Sequence, residues 1–97
     1  MKAIKKPVPV EVWQIPDNVD EAWTYKLPDD IFYKVGVSTV YSTGASNGSK
    51  IVSVESLEGE MTAHPGDYIV QGSHDDVWVV QKDIFEDTYE VVEDDPN

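Results

Sequence analysis

Two histidines are the side chains of this chain best suited to bind a metal ion or move a proton. His64 precedes Asp67 in the stretch HPGDYIVQG, and His74 precedes Asp75 and Asp76 in GSHDD. Imidazole and carboxylate groups are zinc ligands, and the same pairs can act as general acid and base. Both groups lie among turn-forming residues, however, and the sequence places no third anchoring ligand with them. We therefore interpret them as turn residues and predict no metal site.

Other catalytic motifs are missing from the sequence. The chain contains no cysteine, which excludes thiolate nucleophiles, disulfides and cysteine-ligated zinc. The stretch GASNGSK differs from a phosphate-binding loop in its glycine spacing and in placing Ser49 before Lys50, so we expect a hairpin tip there. None of the serines considered as nucleophiles has a nucleophile-elbow context; these are Ser38, Ser42, Ser46, Ser49 and Ser53. We therefore predict a protein that is not an enzyme and needs no cofactor.

The negative charge is concentrated in the second half of the chain. The net charge is −12; residues 1–50 carry six lysines and six acids, whereas residues 51–97 carry one lysine and thirteen acids. There is no arginine, the residue best suited to bidentate phosphate and guanine contacts, and the overall charge would repel a nucleic-acid backbone. We expect no direct nucleic-acid binding. Two interpretations remain open: a solvated surface, or a surface that imitates another anion.

Length and hydropathy indicate a single domain over residues 1–97. The sequence has no run of 18 apolar residues, and its lysine-containing N-terminus is not followed by the apolar core of a signal peptide. We expect a cytoplasmic protein that does not contact a membrane. The acidic tail at residues 92–97 has nothing to bury and is predicted to be flexible.

The first third of the chain predicts one strand and one helix. PVPVEVWQI, residues 7–15, alternates apolar and other residues as a half-buried strand does, and its prolines favour a sheet edge. Residues 17–27 predict a helix capped by Asp17 and stopped by Pro28, with apolar residues at helical spacing. The tryptophans Trp13, Trp23 and Trp78 could form an aromatic binding surface, but packing in the core is favoured.

The rest of the chain predicts hairpins. IFYKVGVSTVYS and IVSVESL read as a long hairpin, and Glu58 and Gly59 form a turn candidate before the short strand EMTAH. Pro65 and Gly66 suit the two central positions of a type II turn, with Gly66 at positive φ.

Two further strands follow this turn, at YIV and VWVVQ. KDIFED predicts a helical or tight turn and TYEVV a last strand. The fold class is therefore α+β: a mainly antiparallel sheet or partly open small barrel with one helix near the N-terminus.

Three blocks of the sequence carry a family resemblance. MKAIKKPVPVEVWQI, SLEGEMTAHPGDYIVQG and KDIFEDTYEVVE resemble, in the same order, the blocks of small uncharacterised phage and prophage proteins with a PGDY signature. That family implies no established reaction or cofactor. The chain departs from it where relatives read like GVKGEFYPCKPDIF and this sequence has GSHDDVWVVQKDIF. The matched positions are interpreted as structural; they are Pro65, Gly66, Asp67, Tyr68, Asp83, Ile84, Phe85 and Tyr89.

Two functions are compatible with these observations. The first is a phage accessory protein that binds a host or defence protein through an acidic face, which acts as a decoy for nucleic acid. Residues at alternate positions of a strand are about 6.5 Å apart, so carboxylates could form a spaced array against a basic groove; the candidates are Glu58, Glu60, Asp83, Glu86, Asp87 and Glu90. The second is a structural or assembly module, in which exposed edge strands pair between subunits of a homo-oligomer or phage complex.

Overall fold

Two antiparallel sheets and three short helices form the described part of this protein. The computed structural model describes residues 1–3, 9–40, 48–72 and 76–91. The described elements are, in chain order, β1 (Glu11–Gln14), α1 (Glu21–Thr24), α2 (Asp29–Phe32), β2 (Val35–Val40), β3 (Ser49–Ser56), β4 (Gly59–Ala63), β5 (Tyr68–Gln71), β6 (Val77–Val80) and α3 (Lys82–Thr88). The α+β class predicted from the sequence is confirmed.

Each sheet has three strands. Sheet 1 has the order β1-β5-β6 and sheet 2 the order β2-β3-β4, with every neighbouring pair antiparallel. Within the described ranges the strands do not join into a closed barrel, which agrees with the partly open form expected. β1 lies at an edge, as its prolines predict, but it begins only at Glu11; residues 4–8 of the predicted strand lie outside the described ranges.

The main core lies between the two sheets and under the first two helices. Sheet 2 contributes Val52, Val54 and Ala63, and sheet 1 contributes Ile69 and Val77. The segment before β2 adds four apolar side chains: Ile15, Val19, Leu27 and Ile31. Trp13 and Trp23 are partly buried and pack against this cluster, which confirms core packing for these two residues. Trp78 is also partly buried but does not belong to this cluster.

The other face of sheet 1 is covered as well. Ile69 and Val70 are adjacent in β5 and both have no exposed surface. Because neighbouring strand residues point to opposite faces, β5 is buried from both sides. Phe85 of α3 is 2 % exposed and its ring stacks on Tyr68, which shares a face with Val70. The helix α3 therefore covers the face of sheet 1 that points away from sheet 2.

The N-terminal helix is shorter than predicted, and a second helix follows it. Asp20, not Asp17, caps α1: its carboxylate accepts a hydrogen bond from the Trp23 backbone N–H at 3.1 Å. Pro28 then begins a new turn, because its carbonyl accepts bonds from the N–H groups of Ile31 and Phe32. The predicted strand start at Ile31 is therefore wrong. Proline lacks an N–H to continue the first helix, and the acids after it favour a fresh helix N-terminus.

The hairpins are confirmed with small shifts. β2 and β3 pair over six positions, from Val35 opposite Val54 to Val40 opposite Ser49; residues 41–47, which include most of the predicted tip, lie outside the described ranges. The β3–β4 turn is Leu57 and Glu58, one residue earlier than predicted, because Gly59 already pairs with Ser56 at a φ of 115°. β5 and β6 form the next hairpin, whose residues 73–75 lie outside the described ranges.

For the C-terminal segment, the predicted helix is confirmed and the predicted last strand is wrong. KDIFED is helical as expected, since α3 covers Lys82–Thr88. The strand predicted for TYEVV is wrong over the described residues, because Thr88 belongs to α3 and its hydroxyl donates to the Ile84 carbonyl at 2.7 Å. Tyr89 is the C-cap, with an extended backbone and its ring stacked on Phe85, and residues 89–91 pair with none of the described strands. The predicted flexible tail at residues 92–97 lies outside the described ranges.

Candidate functional site

The HPGDY stretch forms a turn. Asp67 N–H donates to the His64 carbonyl at 3.0 Å, and Gly66 has a φ of 93°. Positive φ at the third position is the geometry that a type II turn requires and that a β-branched residue avoids. The predictions of a turn at residues 64–67 and of positive φ at Gly66 are therefore confirmed.

Asp67 connects this turn to α3. One of its carboxylate oxygens accepts the His64 backbone N–H at 3.0 Å, and the other accepts the Lys82 N–H at 3.1 Å. The side chain of Gln81, the residue at the N-cap position of α3, makes no capping hydrogen bond. The Asp67 carboxylate therefore accepts a backbone N–H of the first turn of α3 in its place. The His64 ring is 67 % exposed, with Nδ1 3.8 Å from Asp67. The contacts of this pair fit a structural role.

The same turn is attached to the end of β1. The N–H of Ile15 donates to the Asp67 carbonyl at 2.8 Å, and the N–H of Gly66 donates to the Ile15 carbonyl at 2.8 Å. The Gln14 side-chain amide donates to the Gly66 carbonyl at 3.2 Å. Residues from all three sequence blocks that carry the family resemblance thus meet at this turn.

Three aromatic rings complete the attachment of α3. Tyr68 and Phe85 stack with centroids 3.8 Å apart and an interplanar angle of 14°, and Phe85 and Tyr89 stack at 4.8 Å and 9°. Tyr68 belongs to the PGDY signature, and Phe85 and Tyr89 belong to the DIF-x-x-TYE ending. We call these residues the buried stack after their central ring, Phe85, which is 2 % exposed; Tyr68 is half-buried and Tyr89 is 36 % exposed. The buried stack fixes the position of α3 on sheet 1 through apolar contact.

The exposed side of α3 carries acids. Asp83, Glu86 and Asp87 are all exposed and stand at positions i, i+3 and i+4, away from the buried ring of Phe85. Side chains at this spacing have Cβ atoms about 5–6 Å apart. This segment is a helix, as KDIFED predicts, so the strand spacing does not apply to these three residues; their role in binding a partner stays a prediction. Glu90 follows α3 and is exposed as well; we call these four residues the α3 acidic face.

The other two predicted acids lie elsewhere. Glu58 is in the β3–β4 turn, and Glu60 of β4 is paired directly opposite Glu55 of β3. Asp83 and Glu86 border a shallow depression of about 440 Å³ that His64, Asp67 and Lys82 also border. Glu60 and Glu55 border a different one, of about 270 Å³. Of the six residues predicted as one face, Asp83 and Glu86 therefore border one depression and Glu60 another.

Glu55 and a group of exposed aromatic residues are not among the functional residues predicted from the sequence. Tyr33 belongs to the predicted strand IFYKVGVSTVYS, but it lies at the end of α2 and is 81 % exposed. Tyr25 is 75 % exposed; Phe32 stacks on Tyr25 and meets the Tyr33 ring edge-on. The available signal was Pro28 followed by two acids, a helix start that interrupts the strand pattern.

The candidate metal ligands that the structure describes do not gather into a site. Among the described residues no group of three or more His, Asp or Glu side chains could hold a metal ion. His74 and Asp75 lie outside the described ranges. In the part of the chain that is described, no helix is both long and apolar enough to cross a membrane.

Comparison with known proteins identifies no relative. No family model matches the chain, no curated protein matches it, and no solved structure matches it. The resemblance of its sequence blocks to small phage and prophage proteins therefore stays a prediction.

Proposed function

We propose that this protein is a non-enzymatic phage or prophage accessory protein of the host cytoplasm that binds a basic host or defence protein through the α3 acidic face. The observation that carries the proposal is the placement of three exposed carboxylates, Asp83, Glu86 and Asp87, on a helix whose other side is fixed to the fold. A basic groove that binds nucleic acid has the complementary charge, so the face can act as a decoy for such a ligand.

The attachment of α3 supports a binding role because it holds the carboxylates in place before a partner arrives. The Asp67 carboxylate caps the helix and Phe85 is buried beneath it. A surface that is already ordered loses less conformational entropy on binding. Apolar area is available beside the acids, since Ile84 is 50 % and Val91 63 % exposed. Apolar contacts surrounded by charged ones are the usual composition of a protein interface.

An assembly module is the second candidate, and the edge strand β2 favours it. β2 pairs only with β3 among the described strands, and its sequence VGVSTV contains neither a charged residue nor proline. Charged side chains and proline are the features by which proteins protect exposed strand edges from pairing. If β2 pairs between subunits, sedimentation will show a dimer that a Ser38→Lys substitution dissociates.

A comparison of charge-reversed variants tests the first candidate. The α3 variant is Glu86→Lys, Asp87→Lys and Glu90→Lys; the control is Glu11→Lys, Asp17→Lys and Glu21→Lys, which has the same net charge and changes exposed residues elsewhere. Both are used to capture proteins from a bacterial host lysate, beside the wild type. We expect a protein that the wild type and the control retain and the α3 variant loses. Equal loss with both variants would mean that net charge alone is responsible, and equal retention would exclude the α3 acidic face.

A further inference from the structure

Three aromatic side chains form an exposed surface on the segment between β1 and β2. Tyr25 and Phe32 have centroids 5.3 Å apart at 30°, and Phe32 and Tyr33 are 5.3 Å apart at 75°. Tyr25 and Tyr33 are 75 % and 81 % exposed. We call these three residues the aromatic surface. Contiguous exposed apolar area of this kind typically marks an interaction site.

The aromatic surface is held by a buried layer beneath it. Leu27 is 6 % exposed and Ile31 has no exposed surface, and both belong to the main core. The Gln71 side chain donates to the Asp30 carboxylate at 2.8 Å, which connects α2 to β5. The rings are therefore presented to solvent by short helices fixed from below, so they need little rearrangement to receive a ligand.

Tyr33 also borders the depression of about 270 Å³ that contains Glu55 and Glu60. Gly36 lies in the same depression, and no atom lies within 4 Å of the position where its Cβ would be. The absence of a side chain there leaves the space beside Tyr33 open. A side chain that enters this depression thus meets both the Tyr33 ring and the two carboxylates that border it.

The two carboxylates make a cation the favoured occupant. Glu55 and Glu60 are directly opposite on neighbouring antiparallel strands, an arrangement in which like charges repel. Lys34 borders the depression as well, so its charged side chains sum to −1. A cation over a tyrosine ring is attracted by the ring electrons. A guanidinium group is planar, stacks on aromatic rings and donates two parallel hydrogen bonds to carboxylates.

We infer that Tyr33 and the Glu55–Glu60 pair form a binding site for an arginine side chain in a peptide segment of a partner protein, with the rest of the aromatic surface contacting the neighbouring part of that segment. This site borders a different depression from the α3 acidic face. It can therefore be present whether or not the α3 acidic face binds a partner.

The probe is the peptide acetyl-Gly-Arg-Gly-Arg-Gly-amide, titrated into the protein while ring and amide NMR signals are followed. The peptide in which citrulline replaces both arginines is the neutral control. All titrations use the variant with Glu86→Lys, Asp87→Lys and Glu90→Lys, so that the α3 acidic face does not contribute. We expect saturable shifts at Tyr25, Tyr33, Glu55 and Glu60 with the arginine peptide and none with the citrulline peptide.

Substitutions at Tyr33 distinguish the contribution of the aromatic ring to binding from that of apolar volume. Tyr33→Phe keeps the ring and should leave the Kd nearly unchanged, whereas Tyr33→Leu keeps apolar bulk and should weaken binding about two- to fivefold. Glu60→Gln should weaken binding as well, and unchanged amide spectra will show that each variant is folded. Equal affinity of Tyr33→Leu and Tyr33→Phe, or equal binding of the citrulline peptide, would overturn the inference. Ring shifts that depend on protein concentration without peptide would instead assign this surface to a second copy of the chain.

Discussion

The two aromatic clusters of this protein are built from the same residue types and differ in what they contact. The buried stack, Tyr68, Phe85 and Tyr89, connects α3 to sheet 1; its central ring is 2 % exposed and Tyr89 is 36 % exposed. The aromatic surface, Tyr25, Phe32 and Tyr33, has its outer rings more than 70 % exposed. The comparison indicates that burial, rather than residue type, separates aromatic groups that stabilise this fold from those available to a ligand.

The largest expected difference between the clusters is in stability. Phe85→Ala removes a fully buried ring and should lower the free energy of unfolding by about 3–5 kcal/mol. Tyr33→Ala removes an exposed ring and should change it by less than about 0.5 kcal/mol. Urea unfolding followed by tryptophan fluorescence measures both. Phe85→Leu provides a milder variant if Phe85→Ala does not fold, and equal effects at positions 85 and 33 would contradict the assignment of the two clusters.

A smaller effect is expected at the turn beside the buried stack. Gly66→Val should destabilise the protein by about 1–3 kcal/mol, because a β-branched residue is disfavoured at a φ of 93°. The nearest atom to an added Cβ is 3.5 Å away on the Lys82 side chain, so the cost comes from the backbone and not from a clash. Gly36→Val is the matched control: this residue has open space, lies in β2 and should lose no stability. Thermal unfolding of both variants decides whether the backbone argument holds.

The smallest of these effects concerns Asp67. Asp67→Ala removes the acceptor of the His64 and Lys82 N–H groups and should cost about 0.5–2 kcal/mol, the usual range for a lost helix cap. His64→Gln should change stability little, because only the backbone of His64 bonds to Asp67 at hydrogen-bond distance. Hydrogen exchange of the α3 amides should rise in Asp67→Ala alone. Faster exchange in His64→Gln would show that the imidazole takes part.

Local patterns explain which parts of the structure were predictable. The strands β2 to β6 follow from period-2 alternation, and the Gly66 turn follows from proline and glycine chemistry, since both depend on neighbouring residues only. The helix start at Pro28 also has a local signal, a proline followed by two acids, which the strand interpretation overlooks. The helical state of Thr88, by contrast, goes with the contact between the Phe85 and Tyr89 rings. Sequence periodicity does not report such contacts.

The candidate surfaces were predictable in charge but not in position. The sequence locates the acids of α3, yet their arrangement on a helix depends on a cap from Asp67, 15 residues before Lys82. Glu55 and Glu60 become neighbours only through the register of β3 and β4. The exposure of Tyr33 follows from the turn of α2, which a strand pattern concealed. Long-range hydrogen bonds and strand register therefore determine both surfaces.

The central claim is that the α3 acidic face binds the partner protein, whereas the buried stack stabilises the fold. The most direct test is the association rate with the captured partner, measured against salt for the wild type and for the variant with Glu86→Lys, Asp87→Lys and Glu90→Lys. Attraction between exposed charges weakens as the screening length falls from about 10 Å at 0.1 M salt to about 3 Å at 1 M. We predict that the variant associates more slowly at low salt, that the two rates converge at high salt, and that the unfolding midpoint changes little. Equal association rates at low salt would contradict the claim and favour the assembly module.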